Sequence, residues 1–220
     1  MADIVFYFDC ASSFSYIGFE FMEKYRKLWN VKVDYRPFYL NKVLAKAKNT
    51  FSPYKLPYMF TDLRRTSSIT NIPFKGTPQK YPYNQTIALR TLQFLKTEYP
   101  EDDHLLMRQA MRRLWRMEYV DCRAPESVDD VKDALKELVN PDVVDLAQSQ
   151  KLSVDSVLRN TEALLEIRAF GAPTILVYKN GVSSGTKPQL FFGSDRFEHI
   201  AIHLGEQFLP MKQLFASSKI

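Results

Sequence analysis

Residues 9–16 read Asp-Cys-Ala-Ser-Ser-Phe-Ser-Tyr, directly after the apolar run Ile4–Phe8 (IVFYF) and directly before GFEFMEKYRKLW. The pattern predicts a strand that ends here and a helix that begins. Ser12 and Ser15 have the spacing of the two cysteines of a CxxC redox motif, and Cys10 lies two residues ahead of that slot. Ser12 falls at the first helical turn, where backbone N–H groups are unpaired and the helix dipole is positive. Such a point binds anions. A cysteine there would have its pKa lowered by the same field. A serine hydroxyl stays protonated at neutral pH and offers a hydrogen bond instead. A protein built this way would hold the sulfur of another molecule as thiolate rather than supply its own. Ser12 or Ser13 would also serve as a helix N-cap, and spacing alone favours that simpler role.

Two further junctions carry similar potential. In Ala169-Phe170-Gly171-Ala172-Pro173-Thr174 a proline opens an apolar, branched run, Thr174–Tyr178 (TILVY). Proline cannot donate to a sheet ladder, so a cis bond before Pro173 would account for its place. Ala172 would then present its backbone N–H and C=O to an extended, peptide-like ligand. The alternative is an ordinary loop proline before an edge strand. In Phe192-Gly193-Ser194-Asp195-Arg196, Ser194 and Asp195 could cap a final helix. They could equally bind a carboxylate through backbone amides and the Ser194 hydroxyl, and an ammonium through Asp195. A thiol site, a backbone amide and an amino-acid terminus together suit glutathione.

The elements that must position these junctions follow from periodicity. Phe14, Ile17, Phe21, Tyr25 and Leu28 recur at helical steps, and Val31–Phe38 alternates as a second strand. Strand, long helix and strand make a βαβ unit, expected to be right-handed. Six helices are expected next, over Tyr58–Ser68, Tyr83–Tyr99, Asp102–Tyr119, Ser127–Leu138, Pro141–Gln148 and Ser153–Ala169, with Ser127 and Ser153 as N-caps and Pro141 in a first turn. The proline-rich Ile72–Tyr83 reads as a loop. Thr174–Tyr178 and Gln189–Phe192 flank an Asn180-Gly181 hairpin signal, and a last helix runs from Ser194 or Asp195 to about Phe208. Neither the opening nor the closing β segment could complete a sheet alone. Together they make a thioredoxin-like fold with a helical insertion.

Composition narrows the function classes. Hydrophobic residues at 45% and charged residues at 25% describe a folded chain, not a disordered one. The net charge of +5 is spread along the chain rather than bunched, which argues for a solvated basic face and against a nucleic-acid groove. Cys10 and Cys122 have no partner at metal-ligand or redox spacing, so neither a metal site nor a disulfide framework is expected, and sparse cysteine suits a reducing compartment. No apolar run is long enough to span a bilayer, and the strand begins too early for a signal peptide or presequence.

With these residues in view, the chain resembles the kappa-class glutathione transferases. The matching stretches are FYFDCASSFSYIGFEFMEKYRKLW, DYRPF, NTEALLEIRAFGAPT, and FFGSDR followed by HLGEQF, in order at both ends of the chain. The GSDR and AFG-x-P stretches are the specific motifs, while the helical middle matches in length and in places such as PYMFTDL. That family is similar to bacterial DsbA-type oxidases and to hydroxychromene-carboxylate isomerases. The resemblance implies an α/β fold, a thioredoxin-like domain (1–57 and 170–220) with an inserted all-helical, DsbA-like domain (58–169). It implies that Ser12 is the catalytic residue, hydrogen-bonding the glutathione sulfur as thiolate. Ala172, followed by a cis Pro173, would pair with the cysteinyl unit, and Ser194 and Asp195 would hold the γ-glutamyl end. Asn49 would reach glutathione from the loop after the second strand, with Lys55 nearby. The family's usual Pro-Tyr after the serine is Ser13-Phe14 here, its Trp is Tyr16 and its Leu is Ala172, departures that bear on the electrophile pocket. Cys10 is expected to pack at the strand end.

The activity so implied is conjugation of glutathione, a co-substrate rather than a cofactor, to a small electrophile, by a homodimer. A glutathione-dependent isomerase or peroxidase would use the same thiolate, and a thioredoxin-fold binding or chaperone module would keep the cleft without turnover. The last three residues, Ser218-Lys219-Ile220, vary the peroxisomal address SKL conservatively. Import into peroxisomes is therefore expected, with mitochondrion or cytosol as alternatives, and Lys212–Ser217 is expected to be a mobile lead to that signal.

Overall fold

A computed structural model describes residues 2–49, 52 and 54–216. Strand β1 (Asp3–Phe8) runs into helix α1 (Ser13–Leu28) and returns as β2 (Lys32–Pro37), parallel to β1. Far along the chain, β3 (Thr174–Tyr178) pairs antiparallel with the other edge of β1, and β4 (Gln189–Phe192) antiparallel with β3. The sheet order is β2-β1-β3-β4. β1 thus lies between strands from both ends of the chain, and its run Ile4–Phe8 is buried throughout. That is why the run is continuously apolar instead of alternating.

Between β2 and β3 come α2 (Leu40–Lys46), α3 (Lys55–Thr70), α4 (Thr86–Glu98), α5 (Glu101–Tyr119), α6 (Val128–Leu135), α7 (Asp142–Ser149) and α8 (Lys151–Glu166). After β4 come α9 (Phe197–Leu204) and α10 (Met211–Ala216). No described helix is long and apolar enough to cross a membrane.

Helix α1 is the hub, and its aromatic residues explain why. On one side Phe19 meets Trp115 of α5 at 5.2 Å between ring centroids, and Tyr16 stacks on Tyr119 at 5.7 Å. On the other, Phe21 and Tyr25 stack on Phe197 of α9 at 5.6 and 5.1 Å. Such pairs add to the stability gained from burying the ring area. Charge locks the same junction. Glu23, buried in α1, accepts from Arg108 at 2.8 Å, from Tyr35 of β2 at 2.8 Å, and pairs with Arg26 at 2.8 Å. Burial works against the Glu23 carboxylate, but Arg108 and Arg26 hold its pKa below the usual value.

Several local expectations need correction. Ser127 caps α6 in a full capping box with Asp130, as its position predicts. Ser153 caps nothing: α8 begins at Lys151, and the Ser153 hydroxyl is spent inside the helix on Gln150 Oε1 at 2.6 Å. Asp102, Asp103 and His104 have φ of 49°, 56° and 58°, so the regular helix of α5 starts after them. The Asn180-Gly181 turn does not close a two-residue hairpin. A short 3₁₀ turn at Val182–Ser184 widens the connection between β3 and β4. The last expected helix divides: α9 ends at Leu204, and Lys212–Ala216, expected to be mobile, lies in α10. There Leu214 is buried and the Phe215 ring lies 4.9 Å from that of Phe21. The Ser218-Lys219-Ile220 signal lies outside the described residues.

Candidate active site

The turn from β1 into α1 is pinned at each peptide. The buried Asp9 carboxylate accepts the amides of Ala11 and Leu40, both at 2.9 Å, and the Asp9 carbonyl accepts the Ser12 amide at 3.1 Å. Burial pushes the Asp9 carboxyl up to about 6, against the two amide bonds that favour its charged form. The Cys10 carbonyl accepts from Trp115 Nε1 at 2.9 Å and from Tyr119 Oη at 3.3 Å. The Ala11 carbonyl accepts from Tyr81 Oη at 2.5 Å.

Ser12 is the N-cap of α1: its Oγ accepts the Ser15 amide at 3.1 Å. The same hydroxyl points its proton across the cleft to the Ala172 carbonyl, at 3.4 Å. Capping and site chemistry are therefore compatible in one side chain, because a hydroxyl both accepts and donates. The amides of Ser13 and Phe14 have no acceptor among the described residues, as the first helical turn requires. The redox slot is chemically silent. Cys10 is fully buried, and burial, with Asp9 and Glu118 nearby, pushes its thiol pKa well up. Cys122 is exposed on the surface.

The Ala172–Pro173 bond is cis, as is Tyr81–Pro82. The Ala172 carbonyl, expected to be free, is engaged by Ser12, while its amide has no acceptor among the described residues. A cavity of about 560 Å³ brings together Ser12, Ala172, Asn49 and Lys55. Its remaining wall is largely apolar, with Phe14, Leu40, Leu44, Met59 and Phe192. Tyr54 and Tyr58 stand on the same wall, 94% and 66% exposed, so the mouth is aromatic and open. Asn49 donates to the Phe170 carbonyl at 3.0 Å, which ties the loop after α2 to the strand opening at Pro173.

Ser194 and Asp195 line a second cavity, of about 270 Å³, and Phe14 forms part of both cavities. Neither residue caps α9: Arg196 holds the N-cap position, without a side-chain cap. Gly193 has φ of 101°, and a Cβ there would lie 2.7 Å from Asp195 Oδ1, so the glycine shapes this turn. Asp62 of α3 and Glu198 join the wall, giving it three carboxylates above an apolar floor. Pro173 lines neither cavity. It packs instead over Gly18 of α1, where a Cβ would lie 3.2 Å from Pro173 Cγ and 3.4 Å from Ser194 Cβ. A missing side chain at Gly18 thus lets two of the junctions close on α1. Sequence reasoning missed Asp62 and Tyr81 as site residues. Asp62 sits within the PYMFTDL stretch, whereas Tyr81 gives no local sign.

Known proteins resemble the chain in sequence and in fold. The DSBA-like thioredoxin domain family matches residues 3–205. Glutathione S-transferase kappa 1 of Caenorhabditis elegans is 33% identical over 99% of this chain and 97% of its own length. Glutathione S-transferase kappa 2 of the same organism is 29% identical over 96% and 95%. Among solved structures, a 2-hydroxychromene-2-carboxylate isomerase superposes with a TM-score of 0.70 at 19% identity, covering 92% of this chain and 94% of its own. The chain therefore belongs to the DSBA-like thioredoxin superfamily and, within it, to the kappa-class glutathione transferases.

Proposed function

We propose that the protein is a glutathione transferase that holds the glutathione sulfur at Ser12 and conjugates it to a small electrophile in the neighbouring apolar cavity. The observation that carries this reading is the Ser12 hydroxyl: it stands at a helix N-terminus, in a CxxC slot emptied of cysteine, on the wall of an open cavity. Ser12 would turn its proton from the Ala172 carbonyl to the sulfur, a move favoured because a hydrogen bond to a charged acceptor is stronger than one to a carbonyl at 3.4 Å. The helix field and the free amides of the first turn lower the thiol pKa further.

The rest of glutathione follows the cavity walls. The Ala172 amide pairs with the cysteinyl unit, beside Pro173. The γ-glutamyl end passes Phe14 into the carboxylate-lined cavity, where Ser194 takes its carboxylate and Asp195, with Asp62, its ammonium. Asn49 and Lys55 meet the glycyl carboxylate. Conjugation then proceeds by attack of the thiolate on carbon. With an electron-poor aryl chloride, the thiolate adds to the chlorine-bearing ring carbon to form the C–S bond, the ring takes up the negative charge, and the C–Cl bond then breaks as chloride leaves with its electron pair. The protein contributes orientation and electrostatic stabilisation and forms no covalent bond to either substrate.

The test is turnover with glutathione and 1-chloro-2,4-dinitrobenzene, followed by mass spectrometry of the product. Formation of the S-aryl conjugate, lost in Ser12→Ala, supports the reading. Thermal stabilisation by glutathione with no conjugation of any aryl halide or unsaturated carbonyl would make the protein a binding module instead.

The homodimer belongs to the same proposal and rests on the resemblance to the kappa-class enzymes. Light scattering at micromolar concentration that gave only the monomer mass would refute it. Import into peroxisomes through Ser218-Lys219-Ile220 is likewise proposed from the chemistry of that tripeptide. Deleting the three residues should disperse an N-terminal fluorescent fusion from peroxisomes, and an unchanged distribution would refute the signal.

A further inference from the structure

Tyr81 enters the site from the proline-rich loop before α4, a segment whose sequence gives no sign of chemistry. Its ring lines the cavity that holds Ser12. Its hydroxyl does not face an open acceptor position for a ligand: it donates to the Ala11 carbonyl at 2.5 Å. That carbonyl and the Ser12 amide belong to one peptide group, and the amide is held by the Asp9 carbonyl at 3.1 Å. The peptide entering Ser12 is therefore gripped at both ends, once by its own turn and once by a side chain 70 residues away. A second tier stands behind it. Tyr119 donates to the neighbouring Cys10 carbonyl at 3.3 Å and interacts with the Tyr81 hydroxyl. Burial keeps Tyr81 protonated, since it pushes the phenol pKa upward, with Glu118 and Asp9 acting in the same direction.

We infer that Tyr81 is a positioning residue for Ser12: by holding the Ala11 carbonyl it fixes the Ala11–Ser12 peptide plane and so aims the Ser12 hydroxyl at the sulfur. This inference rests on the glutathione reading above. An electrophile in the apolar cavity packs against the ring whose hydroxyl sets the serine, so occupancy of the electrophile cavity and the aim of Ser12 are mechanically joined. Misplacement of a catalytic group by about 1 Å is enough to lower a rate roughly a hundredfold.

A double-mutant cycle separates this role from direct contact with the sulfur and from general loss of packing. The readout is the pKa of the bound glutathione thiol, from thiolate ultraviolet absorbance, in wild type, Tyr81→Phe, Ser12→Ala and the double variant. Tyr81→Phe keeps the ring and removes only the hydroxyl. It should raise the thiol pKa and lower kcat/KM about three- to tenfold, the rate equivalent of one neutral hydrogen bond, with the KM for glutathione little changed. In the Ser12→Ala background the same substitution should add nothing to the pKa. Equal shifts in both backgrounds would mean that Tyr81 acts on the sulfur directly, and an unchanged thiol pKa in the Tyr81→Phe single variant would mean that it positions nothing; either result overturns the inference while leaving the glutathione site standing. A wild-type protein that binds glutathione without lowering its thiol pKa would remove the glutathione reading and this inference together. Should Tyr81→Phe fail to fold, Tyr119→Phe tests the same turn through the Cys10 carbonyl, with the same expected dependence on Ser12 and the same contrary outcomes.

Discussion

Ser12 and Ala172, 160 residues apart in the chain, meet across the cleft at 3.4 Å, hydroxyl to carbonyl. This contact joins the first junction to the second on the wall of the larger cavity, with the serine proton held by the Ala172 carbonyl. Two separable losses follow from removing it. Ser12→Ala should destabilise the fold by about 1 kcal/mol through the lost cap. It should also raise the pKa of bound glutathione by about one to two units, since one hydrogen bond to a charged group is worth roughly 1.5–3 kcal/mol. Ser12→Gly is the control: glycine tolerates the N-cap position within a few tenths of a kcal/mol, so its thermal stability should stay near wild type while the thiol pKa rises as in Ser12→Ala. A thiol pKa unchanged in both variants would refute the role given to the serine.

Gly18 should be intolerant of alanine despite its place inside a helix, where alanine is ordinarily favoured by about 1 kcal/mol. A Cβ there meets Pro173, Phe6 and Ser194 at 3.2, 3.3 and 3.4 Å, and these belong to three different parts of the fold. All three cannot retreat together, and overpacking of this kind typically destabilises by about 1–3 kcal/mol. Gly18→Ala is expected to raise the KM for glutathione several-fold, because Ser194 is displaced, with a smaller effect on kcat. A KM equal to wild type would show that the γ-glutamyl end does not depend on this closure.

Much of the frame was legible in the sequence. The continuous apolar run of β1, the helical spacing of Phe14 to Leu28 and the proline before Thr174 each led to the observed element, because each signal is local. Helix α2 was not legible. Its N-terminus at Leu40 is held by the Asp9 carboxylate from another element, and Tyr39 at its N-cap position offers no side-chain bond. Helix α10 was missed for a related reason: Leu214 and Phe215 hold it through tertiary packing against the core and Phe21. At the site, Ser12 and Ala172 stood out by motif. Tyr81 did not, since only the fold brings it to Ala11.

Asp9 makes stability depend on pH in a direction opposite to that of an ordinary paired carboxylate. Its pKa is about 6 in the folded protein, raised by burial, against about 3.9 in an unfolded chain. The folded state therefore holds the proton more tightly. Stability from this group is full below about pH 4, falls as the pH rises through 6, and is level beyond. The difference amounts to about 3 kcal/mol. Asp9→Asn should remove that slope, so the gap in unfolding free energy between variant and wild type should shift in favour of the variant from pH 4 to pH 7. Urea unfolding at the two pH values measures it, and a parallel pH dependence in both proteins would contradict the assignment.

Glu23 should behave in the opposite sense. Burial opposes its charge, but Arg108 and Arg26 win and hold the carboxyl low. Its contribution is present above an unfolded value of about 4.3 and is lost as the pH falls through the folded value. Glu23→Ala leaves Arg108, 7% exposed in its side chain, without its 2.8 Å partner. A loss of about 3–5 kcal/mol is expected on breaking such a buried pair, measurable by chemical denaturation. A change under 1 kcal/mol would show that the α1–α5 junction does not rely on it.

The most direct test of the central claim is a crystal structure of the protein with glutathione. The sulfur should lie within hydrogen-bonding distance of Ser12 Oγ, beside the Ala172 amide, with the γ-glutamyl end at Ser194 and Asp195 and the glycyl end toward Asn49 and Lys55. Glutathione found with its sulfur turned away from Ser12, or bound outside the two cavities that share Phe14, would contradict it.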